Sequence, residues 1–445
     1  MTALKTSGYI GFSRTQIASL GRLPPHWCSL RFKDLIASFL SGVSVNATDI
    51  PASDGKIGVL KVSCVGVKGF RPEENKTVWK EEYSRVRVSV KRDTIIISRA
   101  NTPELVGASA YIPQDYPNLF LSDKLWQTVL SKRQETHPKW LSYLIGSSSL
   151  RFLFAINATG ASPSMKNLGQ DKFMALEIPV PPLPDQEIIA RWLDRETERI
   201  DRKVALLEEK ARLYKELKQS LINETVTRGL DPSAPLRDSG VDWIGDIPEH
   251  WRIERIGTAF DERSEKVSDV DYPPLSVTMQ GIVPQLDTAA KTQHNDNRKR
   301  VAKGDYVINS RSDRRGSSGV SPLDGSVSVI NIVLEPRKNF CGDYLHHLFR
   351  SYRFIEEFYR NGRGIVDDLW TTKYSVMKAI DFAFPPTVEE QQAIANYLDE
   401  KTAKIDQIIE SVAEQVRLLK ELRKTLINDV VTGKIRVTET KGGAA

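Results

Sequence analysis

The chain has 445 residues, of which 40% are hydrophobic and 27% are charged, and its net charge is +6. This composition is ordinary for a globular protein, the length predicts roughly three domains of ~150 residues, and the mildly basic charge permits nucleic-acid binding. Cys28, Cys64 and Cys341 are too far apart for a zinc motif, so we expect reduced thiols in a cytoplasmic protein. We expect neither a targeting signal nor a membrane span.

The first globular segment, residues 1–180, combines two kinds of pattern. Short β-like runs, such as VRVSV at 86–90 and TIIIS at 94–98, lie between glycine- and proline-rich turns, and a helical stretch at 139–155 follows them. The predicted fold class is therefore α+β. A proline-rich stretch at 178–186 then stops the last strand and prepares the start of a helix.

The next segment, residues 181–230, has the pattern of one long helix. Apolar residues recur every seven positions, others follow four positions later, and Glu, Lys and Arg occupy the remaining faces. An apolar repeat sustained over four heptads predicts a coiled-coil seam, along a helix of about 45 Å for ~30 residues. The residues assigned to the seam are Ile200, Val204, Leu207, Tyr214 and Leu221.

The same order of segments then repeats. It comprises a linker (231–240), a second α+β segment (241–384), a second helical segment (385–435) and a tail that we expect to be flexible (436–445). Residues 391–435 align without a gap on residues 186–230, with 19 identities in 45 positions, which is more than two unrelated helices would share in one register. The seam residues of this copy are Ile405, Ile409, Val412, Leu419 and Leu426.

The chain is therefore predicted to be an internal duplication. We expect the two helices to pair with each other about a pseudo-two-fold axis. The pairing is most simply antiparallel, because the chain must turn back between the two copies. The alternative is two amphipathic helices, each of which packs only on its own globular segment.

Basic residues concentrate at matching places in the two α+β segments, around the related sequences DTIIISR at 93–99 and DYVINSR at 305–311. A single basic run is more often a solvated loop, but two matched runs favour DNA, because Lys and Arg bind phosphates and Arg and Asn read base edges. The candidate DNA-binding residues are Lys68, Arg71, Arg85, Arg87, Ser98, Arg99, Asn101, Lys291, Arg298, Lys299, Arg300, Ser310, Arg311, Arg314 and Arg315. Trp79, Tyr83 and Trp370 are candidates to stack on bases, although buried aromatic residues are commoner.

Recognisable catalytic motifs are absent from the sequence. It has no glycine-rich phosphate loop, no G-x-S-x-G, no HExxH and no NPPY-type motif of an aminomethyltransferase. We therefore expect no catalytic residue, no metal site and no cofactor in this chain. An enzyme with an unrecognised site remains an alternative, as does a coiled-coil scaffold that binds other proteins without DNA.

The ordered motifs resemble one known family, the specificity subunits of type I restriction–modification systems. The resemblance is carried by the paired PP…(D/E)Q…I…L…ID stretches at 181–201 and 385–406, the KEL…LIN…VT helix ends and the paired P-x-H-W starts. It extends from about residue 20 to residue 435.

The resemblance implies two variable target recognition domains, each of which reads one half of a split, asymmetric DNA site. The helices would set the gap between the halves and dock two methylation subunits, and restriction subunits would complete the assembly. S-adenosylmethionine would bind to the methylation subunits, and ATP and Mg²⁺ to the restriction subunits. The chain itself would be non-catalytic and would confer specificity on adenine-N6 methylation and on ATP-dependent DNA cleavage.

Overall fold

A computed structural model describes residues 23–66, 69–162, 165–287, 296–364 and 370–437. Contacts divide the chain into two compact units, Met1–Leu206 with Gln415–Ala445 and Leu207–Glu414. Each unit thus contains one α+β segment, the beginning of the helix that follows it, and the end of the other helix. Most of the predicted tail at 436–445 lies outside the described residues.

The first unit contains sixteen strands and the helices α1 to α4 within its described residues, and α5 begins there. The strands are β1 (Cys28–Arg31), β2 (Ile36–Ser41), β3 (Ala47–Thr48), β4 (Gly58–Leu60), β5 (Val65–Gly66), β6 (Gly69–Phe70), β7 (Asn75–Val78), β8 (Ser89–Val90), β9 (Ile95–Ser98), β10 (Ala100–Asn101), β11 (Ser109–Tyr111), β12 (Tyr116–Phe120), β13 (Leu125–Leu130), β14 (Thr159–Ser162), β15 (Met165–Asn167) and β16 (Glu177–Val180). The helices are α1 (Phe32–Leu35), α2 (Pro138–Gly146), α3 (Ser148–Asn157), α4 (Gln170–Ala175) and α5 (Leu183–Arg228).

Two sheets form the body of this unit. The four-stranded sheet has the order β11-β9-β13-β2, and the five-stranded sheet has the order β3-β7-β4-β12-β8, in which β4 and β12 run parallel. β9 is buried along its whole length, as expected for the apolar TIIIS run. The helical stretch predicted at 139–155 is two helices, because Ser147 ends α2 and its side chain accepts the Leu150 amide at the start of α3.

The second unit repeats this plan with fewer strands in its described residues. Its strands are β17 (Leu236–Asp238), β18 (Asp246–Pro248), β19 (Arg252–Arg255), β20 (Phe260–Glu262), β21 (Lys266–Val267), β22 (Leu275–Thr278), β23 (Gly281–Pro284), β24 (Arg298–Val301), β25 (Tyr306–Asn309), β26 (Ser318–Val320), β27 (Gly325–Ser328), β28 (Asn331–Pro336) and β29 (Asp381–Phe384). Its helices are α6 (Ile256–Ala259), α7 (Gly342–Leu348), α8 (Tyr352–Arg360), α9 (Tyr374–Met377) and α10 (Val388–Val431), of which α10 ends in the first unit.

The duplication is confirmed by sheet topology. The four-stranded sheet of the second unit has the order β26-β25-β28-β20, which matches β11-β9-β13-β2 strand for strand. In each unit an early strand of the globular segment pairs antiparallel with the last, β1 with β16 and β19 with β29. The predicted α+β class is likewise confirmed.

The two long helices pair antiparallel, as predicted. In the first unit Arg423 of α10 forms an ion pair with Asp201 of α5 at 2.9 Å. In the second unit Lys218 of α5 forms an ion pair with Asp406 of α10 at 2.6 Å. In both units an early part of one helix therefore lies beside a late part of the other.

The residues assigned to the seam lie on the inner face of these helices. The structure buries Ile200, Val204, Ile405 and Val412. The remaining six are half-buried, namely Leu207, Tyr214, Leu221, Ile409, Leu419 and Leu426.

The alternative of two helices that pack only on their own segments is wrong. Ile427, Val430 and Val431 at the end of α10 belong to the core of the first unit. Val226 at the end of α5 belongs to the core of the second unit. Each helix thus begins on one globular segment and ends in the core of the other.

None of the helices in the described ranges combines the length and apolar character that a membrane span requires. Within the same ranges, no group of three or more His, Cys, Asp or Glu side chains is arranged to hold a metal ion.

Candidate nucleic-acid interface and helix junctions

Each long helix begins with a buried glutamine that fixes it to the preceding globular segment. Gln186 donates from Nε2 to the Pro181 carbonyl at 2.9 Å and accepts the His137 amide at 2.9 Å. Gln391 makes both equivalent contacts at the start of α10. The repeated glutamine therefore satisfies backbone groups that burial would otherwise leave unpaired.

The repeated histidine and tryptophan motif belongs to the same junction. His26 Nε2 lies 2.9 Å from the Asp185 carboxylate, and His250 Nε2 lies 3.0 Å from that of Glu390. Trp251 is buried and donates from Nε1 to Glu390 at 2.9 Å. Both acids lie in the first turn of a long helix, where the helix dipole favours negative charge.

An asparagine at the end of each helix caps a short helix of the other globular segment. Asn428 Oδ1 accepts from the backbone amide of Ser149 at 3.0 Å and from its hydroxyl at 2.8 Å, at the start of α3. Asn223 Oδ1 accepts the Arg353 amide at 3.3 Å, at the start of α8. The sequence analysis did not predict these capping contacts. The LIN triplet that recurs near both helix ends is the signal that could have indicated them.

A polar contact on the first short helix also recurs with changed chemistry. Tyr143 on α2 donates to Asp194 at 2.7 Å, and His347 on α7 lies 2.8 Å from Asp399. Burial lowers the pKa of His347 more than the hydrogen bond to Asp399 raises it. The two junctions therefore keep the same geometry with different residue types.

The basic candidates in the first unit are not equally available to a ligand. Arg85 is 58% exposed but forms an ion pair with Glu82 at 2.6 Å, whereas Arg87 is exposed. Ser98 is fully buried, so it has no surface to offer to DNA. Arg99 is half-buried, and its Nε has no hydrogen-bond partner among the described residues.

The remaining candidates in this unit divide in the same way. Asn101 is half-buried and donates to Ser98 Oγ at 3.2 Å, while Arg71 lies 3.6 Å from Glu74. Lys68 lies outside the described residues. Trp79, which the sequence offered as a base-stacking candidate, is 51% exposed, and its carbonyl accepts the Glu82 amide.

In the second unit, several basic candidates on β24 are tied to their own chain. Arg298 is buried and bonds to Ser326, and burial lowers the pKa of its guanidinium. Lys299 pairs with Glu262 at 2.8 Å. Arg300 pairs with Glu265, and that hydrogen bond raises the pKa of Arg300. Lys291 lies outside the described residues.

The loop after β25 carries the more exposed candidates. Arg314 is 70% exposed, and Arg315 is 49% exposed and pairs with Glu356 at 2.8 Å. Arg311 lies 3.0 Å from Asp313, and Ser310 is buried. Backbone hydrogen bonds join this loop to the strand-like residues 370–372. The structure thus brings these four candidates together in one loop, which backbone hydrogen bonds hold in place.

Both long helices also expose leucines at equivalent positions. In the second unit, Leu213 and Leu217 of α5 are 50% and 53% exposed. In the first unit, Leu418 and Leu422 of α10 are 49% and 52% exposed. The spacing of four residues places each pair on one face of its helix, and Leu217 and Leu422 flank the seam, because each is three or four residues from a seam residue.

The junctions show no arrangement for covalent chemistry. The acids at both helix starts bond to histidine, and the interior amides bond to backbone groups. Within the described residues, these contacts fix the position of the helices and leave no nucleophile beside a general base.

A family model described as type I restriction modification DNA specificity domain matches residues 53–210. The putative type I restriction enzyme MjaX specificity subunit of Methanocaldococcus jannaschii is 24% identical over 447 residues, which cover 96% of this chain and 97% of that protein. The EcoEI specificity subunit of Escherichia coli is 26% identical over 161 residues, which are 36% of this chain and 27% of that protein.

Solved structures share the fold at 18% sequence identity. One, from work on complex assembly and conformational transition of the type I restriction–modification system, has a TM-score of 0.69 and covers 93% of this chain and 99% of its own. The crystal structure of the HsdS subunit of Thermoanaerobacter tengcongensis has a TM-score of 0.53, with 93% and 98% covered. Along almost its whole length, this chain is thus similar to a protein named as a type I restriction enzyme specificity subunit, and it shares the fold of the HsdS subunit.

Proposed function

We propose that this chain gives sequence specificity to a type I restriction–modification complex, with each α+β segment reading one half of a split DNA site. The observation that carries the proposal is the duplication itself, with two sheets of the same strand order, each closed by both long helices. Two readers on one chain raise affinity through effective concentration. Because the two segments differ in sequence, the two half-sites should differ as well.

The exposed members of the basic set support a DNA interface in each unit. In the first unit these are Arg85 and Arg87, and the ring of Trp79 is exposed as well. In the second unit they are Arg314 and Arg315. Such side chains neutralise phosphates and release counterions, and an exposed aromatic ring can contact a base or sugar. The more buried candidates would act indirectly, by shaping the loops.

The proposed role is non-catalytic, and other chains would supply the chemistry. Methylation subunits would carry S-adenosylmethionine and methylate adenine at N6, and restriction subunits would carry ATP and Mg²⁺ and cleave DNA.

The exposed leucine pairs are the surfaces that we propose for docking two methylation subunits. The pair Leu213 and Leu217 and the pair Leu418 and Leu422 occupy equivalent positions in the two copies. Equivalent apolar surfaces suit two copies of the same partner. Changing Leu418 and Leu422 to Glu should weaken binding of one methylation subunit and leave the other in place. Native mass spectrometry would count the subunits, with the exposed Arg417→Glu as the control.

The decisive experiment is co-expression of this chain with a type I methylation subunit, followed by mapping of N6-methyladenine across the host genome. A single motif with two short specified halves around a fixed gap would support the proposal. A complex that assembles but methylates no specific sequence would favour a coiled-coil scaffold outside restriction–modification.

A charge-reversal series tests the DNA interface separately. Changing Arg311, Arg314 and Arg315 to Glu should reduce DNA affinity and the salt dependence of binding, because phosphate contacts are lost. Assembly with partners should remain. The matched control is the triple change of Arg195, Arg199 and Arg202 to Glu, three exposed arginines on α5. An equal loss in both variants would show a general charge effect and count against an interface at this loop.

A further inference from the structure

The first unit contains a cavity of about 550 Å³ at the place where its globular segment meets the end of α10. This volume lies within the range of small-molecule sites. The side chains that matter for its chemistry are Tyr111, Lys139, Tyr143, Arg151, Arg423 and Lys424. All of them belong to the first unit.

The cavity holds more positive charge than nearby carboxylates neutralise. Lys139 pairs with Asp194 at 2.7 Å, and Arg423 pairs with Asp201 at 2.9 Å. Two further cations therefore remain in the lining, Arg151 and Lys424.

Neither of these two cations is compensated by a carboxylate among the described residues. The Arg151 guanidinium donates to the backbone carbonyls of Val106 at 2.6 Å and Glu104 at 2.7 Å. Those acceptors are neutral, so its charge is oriented but not cancelled. Burial lowers the pKa of Arg151 to about 10, at which it is still charged at neutral pH. Lys424 is exposed and forms no ion pair within the described part of the chain.

The lining also contains an unused hydroxyl. Ser109 Oγ is buried and has no hydrogen-bond partner among the described residues. The hydroxyls of Tyr111 and Tyr143 are already committed to Asp93 and Asp194. A buried donor and two uncompensated cations are the groups that a phosphate satisfies.

The counterpart cavity of the second unit is smaller, about 410 Å³, and has a different lining. The N-cap serines Ser147 and Ser351 align α2 with α7, so that Gly146 corresponds to Arg350. The Arg350 guanidinium lines that cavity and bonds to His346 and to the Met279 carbonyl. At Gly146, a Cβ atom would meet nothing within 4 Å. The larger cavity, with two cations that no carboxylate compensates among the described residues, therefore lies in the first unit.

We propose that this cavity binds a phosphate group, carried by a free nucleotide-sized molecule or by the DNA backbone. Lys424 and Arg423 come from α10, whereas Lys139 and Arg151 come from the globular segment. A bound phosphate would therefore join the end of the second helix to the first globular segment. This proposal does not depend on sequence-specific DNA reading.

The test uses the full chain and two phosphate sources at constant ionic strength. Pyrophosphate binding is measured by isothermal titration calorimetry, and binding of a short DNA duplex by fluorescence anisotropy. Lys424→Gln should weaken binding of the relevant source about tenfold, the scale of one charge-assisted hydrogen bond. Gly146→Leu should abolish it by filling the cavity without changing charge, while Gly146→Ala should retain it.

Lys215→Gln, an exposed lysine on α5 outside the cavity lining, controls for loss of charge. Circular dichroism and thermal melting verify that each variant is folded. Saturable pyrophosphate binding that these variants remove would identify a free phosphate ligand. An effect confined to the duplex would identify a backbone phosphate. If folded Gly146→Leu and Lys424→Gln bind both sources as the unaltered chain does, or if neither source binds the unaltered chain, the proposal is wrong.

Discussion

Replacing Asn428 with Ala tests the exchange of helix ends most directly. The Asn428 side chain lies at the end of α10, is 8% exposed, and accepts two hydrogen bonds from Ser149, which is 279 positions earlier in the chain. The change removes one acceptor and leaves an amide and a hydroxyl at the start of α3 without it. It leaves the apolar neighbours Ile427, Val430 and Val431 in place.

The expected cost follows from these two contacts. Leaving a buried donor unsatisfied costs about 1–3 kcal/mol, and water can reach the half-buried Ser149 hydroxyl, so we expect about 2 kcal/mol in total. For a domain of this size, each kcal/mol lowers the melting temperature by about 2–4 °C. The transition of the first unit should therefore shift down by about 4–8 °C.

Hydrogen exchange locates the effect. Loss of the cap should increase exchange at the first turn of α3, residues 148–151, and at the last turn of α10. Asn428→Asp is the matched control because it keeps an acceptor oxygen. Asn223→Ala should cost less, because its contact with Arg353 is a single hydrogen bond at 3.3 Å. Unchanged exchange at 148–151 in Asn428→Ala would refute the inference that α10 caps the first globular segment.

Three further predictions concern the helices and the second unit. Reversing Lys218 to Glu should destabilise the second unit by about 0.5–1 kcal/mol, and adding Asp406→Lys should restore much of the lost stability. A double-mutant cycle measured by urea unfolding gives the coupling energy of the two residues. Additive effects would mean that the ion pair is not formed. Val412→Asp should lower the free energy of unfolding by about 3 kcal/mol or more, because Val412 is 2% exposed. Leu207→Asp should lower it less, because Leu207 is half-buried. Equal midpoints of the two variants in chemical unfolding would contradict this order. Burial, with smaller contributions from Arg350 and His347, lowers the pKa of His346 to about 4 from an ordinary 6.5. As the pH falls, the unfolded chain therefore binds a proton at this histidine before the folded chain does. The free energy of unfolding should consequently decrease as the pH drops from 6.5 towards 4. His346→Gln should flatten this part of the stability profile relative to the unaltered chain, and parallel profiles would show that another group is responsible.

The long helices could be predicted from the sequence because their signal is local and periodic. Seven-residue spacing identified the inner face, and the structure bounds the helices as Leu183–Arg228 and Val388–Val431, inside the predicted segments. The antiparallel pairing followed from chain connectivity. The 19 identities in 45 aligned positions predicted the internal duplication, and the matching strand order of the two sheets confirmed it.

The exchange of helix ends could not be predicted in the same way. Asn223 and Asn428 occur in equivalent LIN triplets, but nothing local shows which globular segment each one reaches. Their partners are Arg353 and Ser149, and neither partner type recurs between the copies. A contact between residues so far apart depends on the complete fold and leaves no periodic pattern.

The candidate DNA residues show the limit of arguing from charge. The sequence counts Arg298, Lys299 and Arg300 as one basic run, but on a strand neighbouring side chains point to opposite faces. Arg298 is buried against Ser326, and Lys299 is 11% exposed beside Glu262. Formal charge therefore overstates the positive surface of β24, because burial and nearby carboxylates decide how much of it reaches a ligand.

The junction contacts also constrain which globular segment could be exchanged between relatives. A swap of residues 30–165 would replace Tyr143 and Ser149, whose partners Asp194 and Asn428 remain in the long helices. The second unit meets the first requirement with His347 in place of Tyr143, so a donor of different chemistry suffices if it reaches the acid. A donor segment should therefore fold on these helices when it brings a hydrogen-bond donor to each acceptor. A segment that lacks both side-chain donors should leave the half-buried Asp194 without a hydroxyl partner and Asn428 with only a backbone amide, so failure of that swap would reflect the junction and not the reading of DNA.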